Sequence, residues 1–147
     1  MTGGPRGDTP THGITLGVAA LALGLAGCAD DHLEVRSLVL YYGEAAYLEA
    51  PDSLPPGVSA PITAWTFRSC QDRPGPTHVT ISDQVVLIEP YDSVPVRAPT
   101  CPDAQPAPFG HTVFVDVPQP GPITLRLVGR GQPGDTTVTL DRILIVH

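Results

Sequence analysis

The sequence predicts an all-β protein, an immunoglobulin-like β-sandwich of about seven strands behind an N-terminal lipoprotein leader. Three observations carry the fold class. The 147 residues include 18 Pro and 15 Gly, and sixteen of the Pro lie beyond position 27, which excludes long helices and coiled coils. Between these breakers, at intervals of roughly eight to twelve residues, stand short runs rich in Val, Ile, Leu and Thr. Several of the runs alternate apolar and polar side chains, the period of a strand with one buried face. A jelly roll or small barrel is the alternative topology.

The elements follow in order. Asp30–Leu33 reads as a polar tether. Glu34–Tyr42 is the first strand, with apolar residues on both faces, so it is expected to be covered on both sides. Gly43–Ala46 is a helical turn or a crossover, and Tyr47–Ala50 a short strand. Pro51-Asp52-Ser53 and Pro55-Pro56-Gly57 force turns. Ile62–Ser69 is the next strand, and Trp65 and Phe67, which share a face, are expected to be the largest contributors to the core. His78–Ile81 and Gln84–Glu89 form a hairpin around Ser82-Asp83. Pro90 through Pro108 reads as loop, with Val94–Arg97 as an edge strand. In His111–Val117, Val113, Val115 and Val117 lie on one side and Thr112, Phe114 and Asp116 on the other. Pro118–Pro122 turns the chain into Ile123–Val128, with Ile123, Leu125 and Leu127 inward. Gly129–Asp135 is a second turn, and Thr137–Val146 closes the domain with an apolar end that implies a central position.

Charge narrows the partners. All eight cations are Arg, against 15 acids, for a formal net charge of -7. Without a basic cluster the chain cannot neutralise a row of phosphates, so nucleic acid is excluded as a partner. A hydrophobic content of 41% is too high for a disordered chain.

Residues 14–27 (ITLGVAALALGLAG) are an unbroken apolar run. As a helix it would be ~21 Å long, short of the ~30 Å hydrocarbon core, so it is a signal-peptide segment and not a span. It ends in Leu25-Ala26-Gly27-Cys28, which resembles the lipobox of bacterial lipoproteins. The resemblance implies acylation of Cys28 with palmitate-type chains and cleavage before it. It divides the chain into a signal peptide (1–27), an acylated Cys with its tether (28–33) and the sandwich domain (34–147). Several acyl chains supply the anchoring that a single chain lacks. The implied location is outside the cytoplasm, on a bacterial membrane, and by the sorting behaviour of the class the outer membrane where one exists.

With Cys28 committed to lipid, Cys70 and Cys101 remain as an even pair in an exported domain. A bridge between them would close a loop of about 32 residues and stabilise by roughly 3–4 kcal/mol. Free thiols or a two-sulfur metal site are the alternatives, though no Cys-x-x-Cys is present.

From Pro51 onward the chain resembles an uncharacterised group of single-domain, immunoglobulin-like bacterial lipoproteins. The resemblance rests on Pro51-Asp52-Ser53 with Gly57, then Thr66-Phe67-Arg68-Ser69-Cys70, Pro90-Tyr91-Asp92 and Cys101. It continues through His111–Val117, Pro120-Gly121 and the closing Leu125–Arg130. It implies the sandwich and the Cys70–Cys101 disulfide, and no activity.

Motifs of catalysis are missing. Gly57-Val58-Ser59 begins like a nucleophile elbow, but Pro61 stands where the second Gly belongs. No phosphate-cradling glycine loop occurs; Gly129-Arg130-Gly131 reads as a hairpin turn. Asp30-Asp31-His32 reads as solvated spacer, and His78, His111 and His147 as surface histidines. Glu89, Asp92 and Asp103 are expected to form an acidic rim around Tyr91, and Arg68, Arg97 and Arg126 to pair with acids across strands. The expectation is a non-enzymatic, lipid-anchored envelope domain with a binding or structural role, without cofactor or metal, and with an envelope protein or glycan as partner. The alternatives are a surface carbohydrate-binding module, which requires a planar strip of exposed aromatics and is disfavoured because Trp65 reads as buried and only Tyr41, Tyr42, Tyr47 and Tyr91 remain, and a periplasmic metal-binding protein, which requires clustered histidines.

Overall fold

Apolar alternation is realised as eleven strands in one continuous, curled sheet. The computed structural model describes residues 1, 3, 32–68, 72–96 and 107–147, and the regular structure among them is all strand. The strands are β1 (His32–Arg36), β2 (Leu38–Tyr41), β3 (Glu44–Ala45), β4 (Tyr47–Glu49), β5 (Ser53–Leu54), β6 (Ser59–Arg68), β7 (Arg73–Ser82), β8 (Val85–Pro95), β9 (Ala107–Asp116), β10 (Gly121–Gln132) and β11 (Thr136–Val146). Cys28, Cys70 and Cys101, the apolar run 14–27, Arg97 and Asp103 lie outside the described residues.

Two sets of strands make the sandwich-like layers. β7, β8, β10 and β11 are hydrogen-bonded side by side, with β8 and β10 parallel. β4, β6 and β9 form the second set, antiparallel throughout. Their inner residues share one core: Val86, Ile88, Ile123, Leu125, Leu127 and Leu144 meet Leu48, Ala60, Ile62, Ala64 and Val115.

The first expected strand is two strands that belong to different neighbours. β1 runs antiparallel to the end of β8, whereas β2 lies parallel to the end of β10. The switch is at Ser37, whose N–H donates to the Pro90 carbonyl at 2.9 Å while its carbonyl accepts from Arg130 N–H at 3.0 Å. Both backbone groups of this fully buried residue are therefore satisfied. The tether is shorter than expected, since His32 and Leu33 already belong to β1.

Three turn assignments change for physical reasons. Gly129 and Gly131 are strand residues of β10, where neighbouring strands pack too close for a side chain: a Cβ would meet Ser37 and Val39 at Gly129 and Val138 of β11 at Gly131. Pro90 does not end β8: it sits between the ladder to β10, which stops at Ile88, and the ladder to β1, which starts at Tyr91. Pro90 stands opposite Thr77 of β7, but its carbonyl turns to the other side, toward Ser37 N–H, where neither ladder reaches it, so the missing N–H breaks no ladder bond. The β7–β8 hairpin forms, but its turn is Asp83-Gln84, with Asp83 at φ 50°, a left-handed conformation that Asp tolerates.

β11 is not central. It pairs with β10 along its length and with β5 only at Ile145 and Val146, and Ile143 and Ile145, on its outer face, are exposed while Leu144 and Val146 are buried. Arg142 closes the gap between β11 and β4, donating to the carbonyls of Leu48 at 2.6 Å and Ala50 at 2.9 Å and to Asp52 at 3.1 Å. It caps the open edge of β4 in place of a strand. R142A is expected to destabilise by about 2 kcal/mol, and to raise hydrogen exchange at the β4 amides most; uniform protection in β4 would contradict this role.

On the outer side of the first layer, Arg126 grips Asp141 with Nε at 2.9 Å and Nη2 at 2.8 Å. These hydrogen bonds hold the Asp141 carboxyl below the ordinary carboxylate range. Its stabilisation is complete above the unfolded value and is lost as pH falls through the lowered folded one. The exposed pair contributes little. Urea midpoints of the wild type and D141N should differ slightly at neutral pH and converge in acid; a gap that widens in acid would contradict the pairing.

Candidate functional site

The face of β6 that carries Trp65 and Phe67 points away from the core. Ala60, Ile62, Ala64 and Thr66 are buried on the inner face, and Trp65 and Phe67 are only half-buried on the outer one. The expectation that the two rings dominate the core is thus corrected. Phe67 packs against the core margin, and Trp65 joins an aromatic surface.

That surface is laid out in rows across the second layer. Tyr47, Trp65 and Gly110 stand opposite one another on β4, β6 and β9. The Tyr47 and Trp65 rings are near-parallel, with centroids 6.1 Å apart and planes inclined by 23°. Gly110 leaves room for the indole: a Cβ there would meet Thr63 Cγ2 at 3.1 Å and the Trp65 ring at 3.4 Å. Indole Nε1 donates to Glu49 Oε2 at 2.7 Å, which pins the ring.

The next row is polar. Glu49, Thr63 and Thr112 stand opposite one another, and the two Thr hydroxyls are hydrogen-bonded at 2.9 Å. Beyond it, Pro61 faces Phe114, whose ring is 73% exposed. On the other side of Trp65, Phe67 approaches Tyr41 at 6.0 Å, and Tyr41 meets the exposed Tyr42 edge-on at 4.8 Å. Glu49, Ala50, Pro51, Pro61 and Thr63 line an open concavity of about 290 Å³ beside this face.

A second polar constellation is interior. Asp92 on β8 and His111 on β9 bridge the two layers, with Oδ1 and Nε2 3.2 Å apart and both side chains 1% exposed. Ser37 Oγ lies 3.2 Å from the same Nε2, and Thr77 Oγ1 lies 3.5 Å from Nδ1. Neither carboxylate oxygen of Asp92 has a hydrogen bond. Ser, His and Asp meet here without making a relay. A relay needs Ser and Asp on opposite ring nitrogens, and here both address Nε2. The constellation is a polar fastener between layers.

Other anticipated residues disperse. Asp92 is buried and is no part of a rim; Glu89 pairs with Arg36 at 2.9 Å, and Tyr91 packs edge-on against His78 at 5.2 Å. His78 lies on the outer side with Tyr91, His111 lies inside, and His147 donates its backbone N–H to Leu54. Among the described residues no three His, Cys, Asp or Glu side chains gather to hold a metal ion. Arg68 packs over the Phe109 ring at 4.9 Å. No protein-family model, curated protein or solved structure matches the chain.

Proposed function

We propose that the chain is a lipid-anchored protein of the bacterial envelope, held through Cys28 and bridged by Cys70–Cys101, which binds a partner through the outer face of β4, β6 and β9 and catalyses no reaction. The observation that carries the binding role is the exposed, ordered aromatic face. Solvent-facing rings are a poor surface for a free monomer, and rings of this kind anchor partners. Trp65 is locked by Glu49 and by the space over Gly110, so little ordering cost falls on binding. Of the two alternatives the sequence raises, this face favours the carbohydrate-binding one.

Two measurements test the reading. Protein extracted from its native membrane should begin at Cys28, carry acyl chains, and gain the mass of a hydrogen pair on reduction. A photo-reactive residue should form adducts in the native envelope when placed at Thr112, on the aromatic face, and none at Thr139, on the exposed face of β11. An uncut, unmodified chain overturns the anchor; adducts absent from Thr112 overturn the binding face.

A further inference from the structure

We infer that the aromatic face is a site for a neutral polysaccharide; this rests on the binding reading above and names its ligand. A sugar ring presents an apolar C–H face and a rim of hydroxyls. It therefore needs an aromatic platform with hydrogen-bonding groups one step to the side. The electron-rich face of an aromatic ring attracts such C–H groups. Here the stacked Tyr47–Trp65 pair, with Tyr47 exposed, adjoins the Glu49–Thr63–Thr112 row, two residues along each strand, or about 7 Å. Glu49 fixes the indole through Oε2, and its carboxylate also lies at the wall of the concavity, where it can accept from ligand hydroxyls.

Charge selects among polymers. The charged residues in the rows of this face are Glu49 and Asp116, and no Arg stands among them. Arg142, at the flank, is engaged by the Leu48 and Ala50 carbonyls and by Asp52. An acidic face repels acidic glycans, anionic lipid headgroups and nucleic acid. It accepts an uncharged chain whose hydroxyls donate to carboxylate and Thr oxygens.

The test is native gel electrophoresis of the full-length protein, solubilised in a polyoxyethylene detergent, through gels containing hydroxyethylcellulose, mixed-linkage β-glucan, galactomannan or dextran. At least one is expected to retard it, and polygalacturonate is not. W65A should weaken retardation by about tenfold or more and E49Q by a few-fold. F114S, at a ring too exposed to matter for folding, should weaken it as well. Retention by none of the four neutral polymers, undiminished retention in both W65A and F114S, or equal retention by polygalacturonate each overturns the inference. Protein or lipid adducts at Thr112 without retardation remove the polysaccharide and leave the binding face standing. Neither adducts nor retardation removes both.

Discussion

Gly129→Ala is expected to be the most damaging small substitution in the domain, costing about 3 kcal/mol or more. The added Cβ would lie 2.5 Å from the Ser37 carbonyl oxygen and 2.5 Å from Val39 Cγ1. The oxygen is backbone, pinned by its bond from Arg130 N–H, so it cannot rotate away. Relief requires lifting β2 from β10, which breaks the parallel ladder and exposes Val39, a fully buried core residue. Gly131→Ala is the internal comparison. Its Cβ would meet Val138 Cγ2 at 2.7 Å, a methyl group that can move, so it should cost distinctly less. Urea midpoints of the two variants would rank them. Equal effects would mean that Ser37 and Val39 do not pack so tightly against Gly129.

The second large effect concerns the interior pair. His111→Leu removes the imidazole that stands 3.2 Å from Asp92 and leaves a buried carboxyl group whose oxygens have no hydrogen bonds. Breaking such a pair from one side costs about 3–5 kcal/mol. Replacing both partners, with Asp92→Val added, removes the stranded group. Ser37 Oγ still loses its ring partner. The double variant should nevertheless be more stable than His111→Leu alone by about 2 kcal/mol. A second substitution that merely adds its own cost would show that the two side chains are not coupled.

The strand residues were legible where alternation was regular. Val113, Val115 and Val117 and the set Ile123, Leu125 and Leu127 point as their parity requires. The same parity places His111 with the three Val residues, on the buried side. Asp92 follows Val86 and Ile88 in register on β8, a parity that the intervening Pro90, a residue that ordinarily ends a strand, conceals in the sequence. Trp65 and Phe67, expected to dominate the core, lie instead on the outer face of β6. The small inner residues Ala60 and Ala64 are buried against the other layer, and no local pattern announces which face that layer will cover. The candidate site therefore became visible only with the sheet order. The lipid and disulfide cysteines are readings from sequence alone, outside the described residues.

The pairing of β2 with β10 also dictates timing. Leu38 lies beside Arg130, and β1 needs the far half of β8. The first strands of the domain to leave a ribosome or an export channel are thus among the last to complete their pairing. Until β10 emerges, β2 can pair with β3 and, at Leu38, with β6, while its edge toward β10 stays open. Long-range pairing of this kind slows folding to the range of milliseconds to seconds. During that interval the protein depends on whatever keeps its N-terminal segment from finding another chain first.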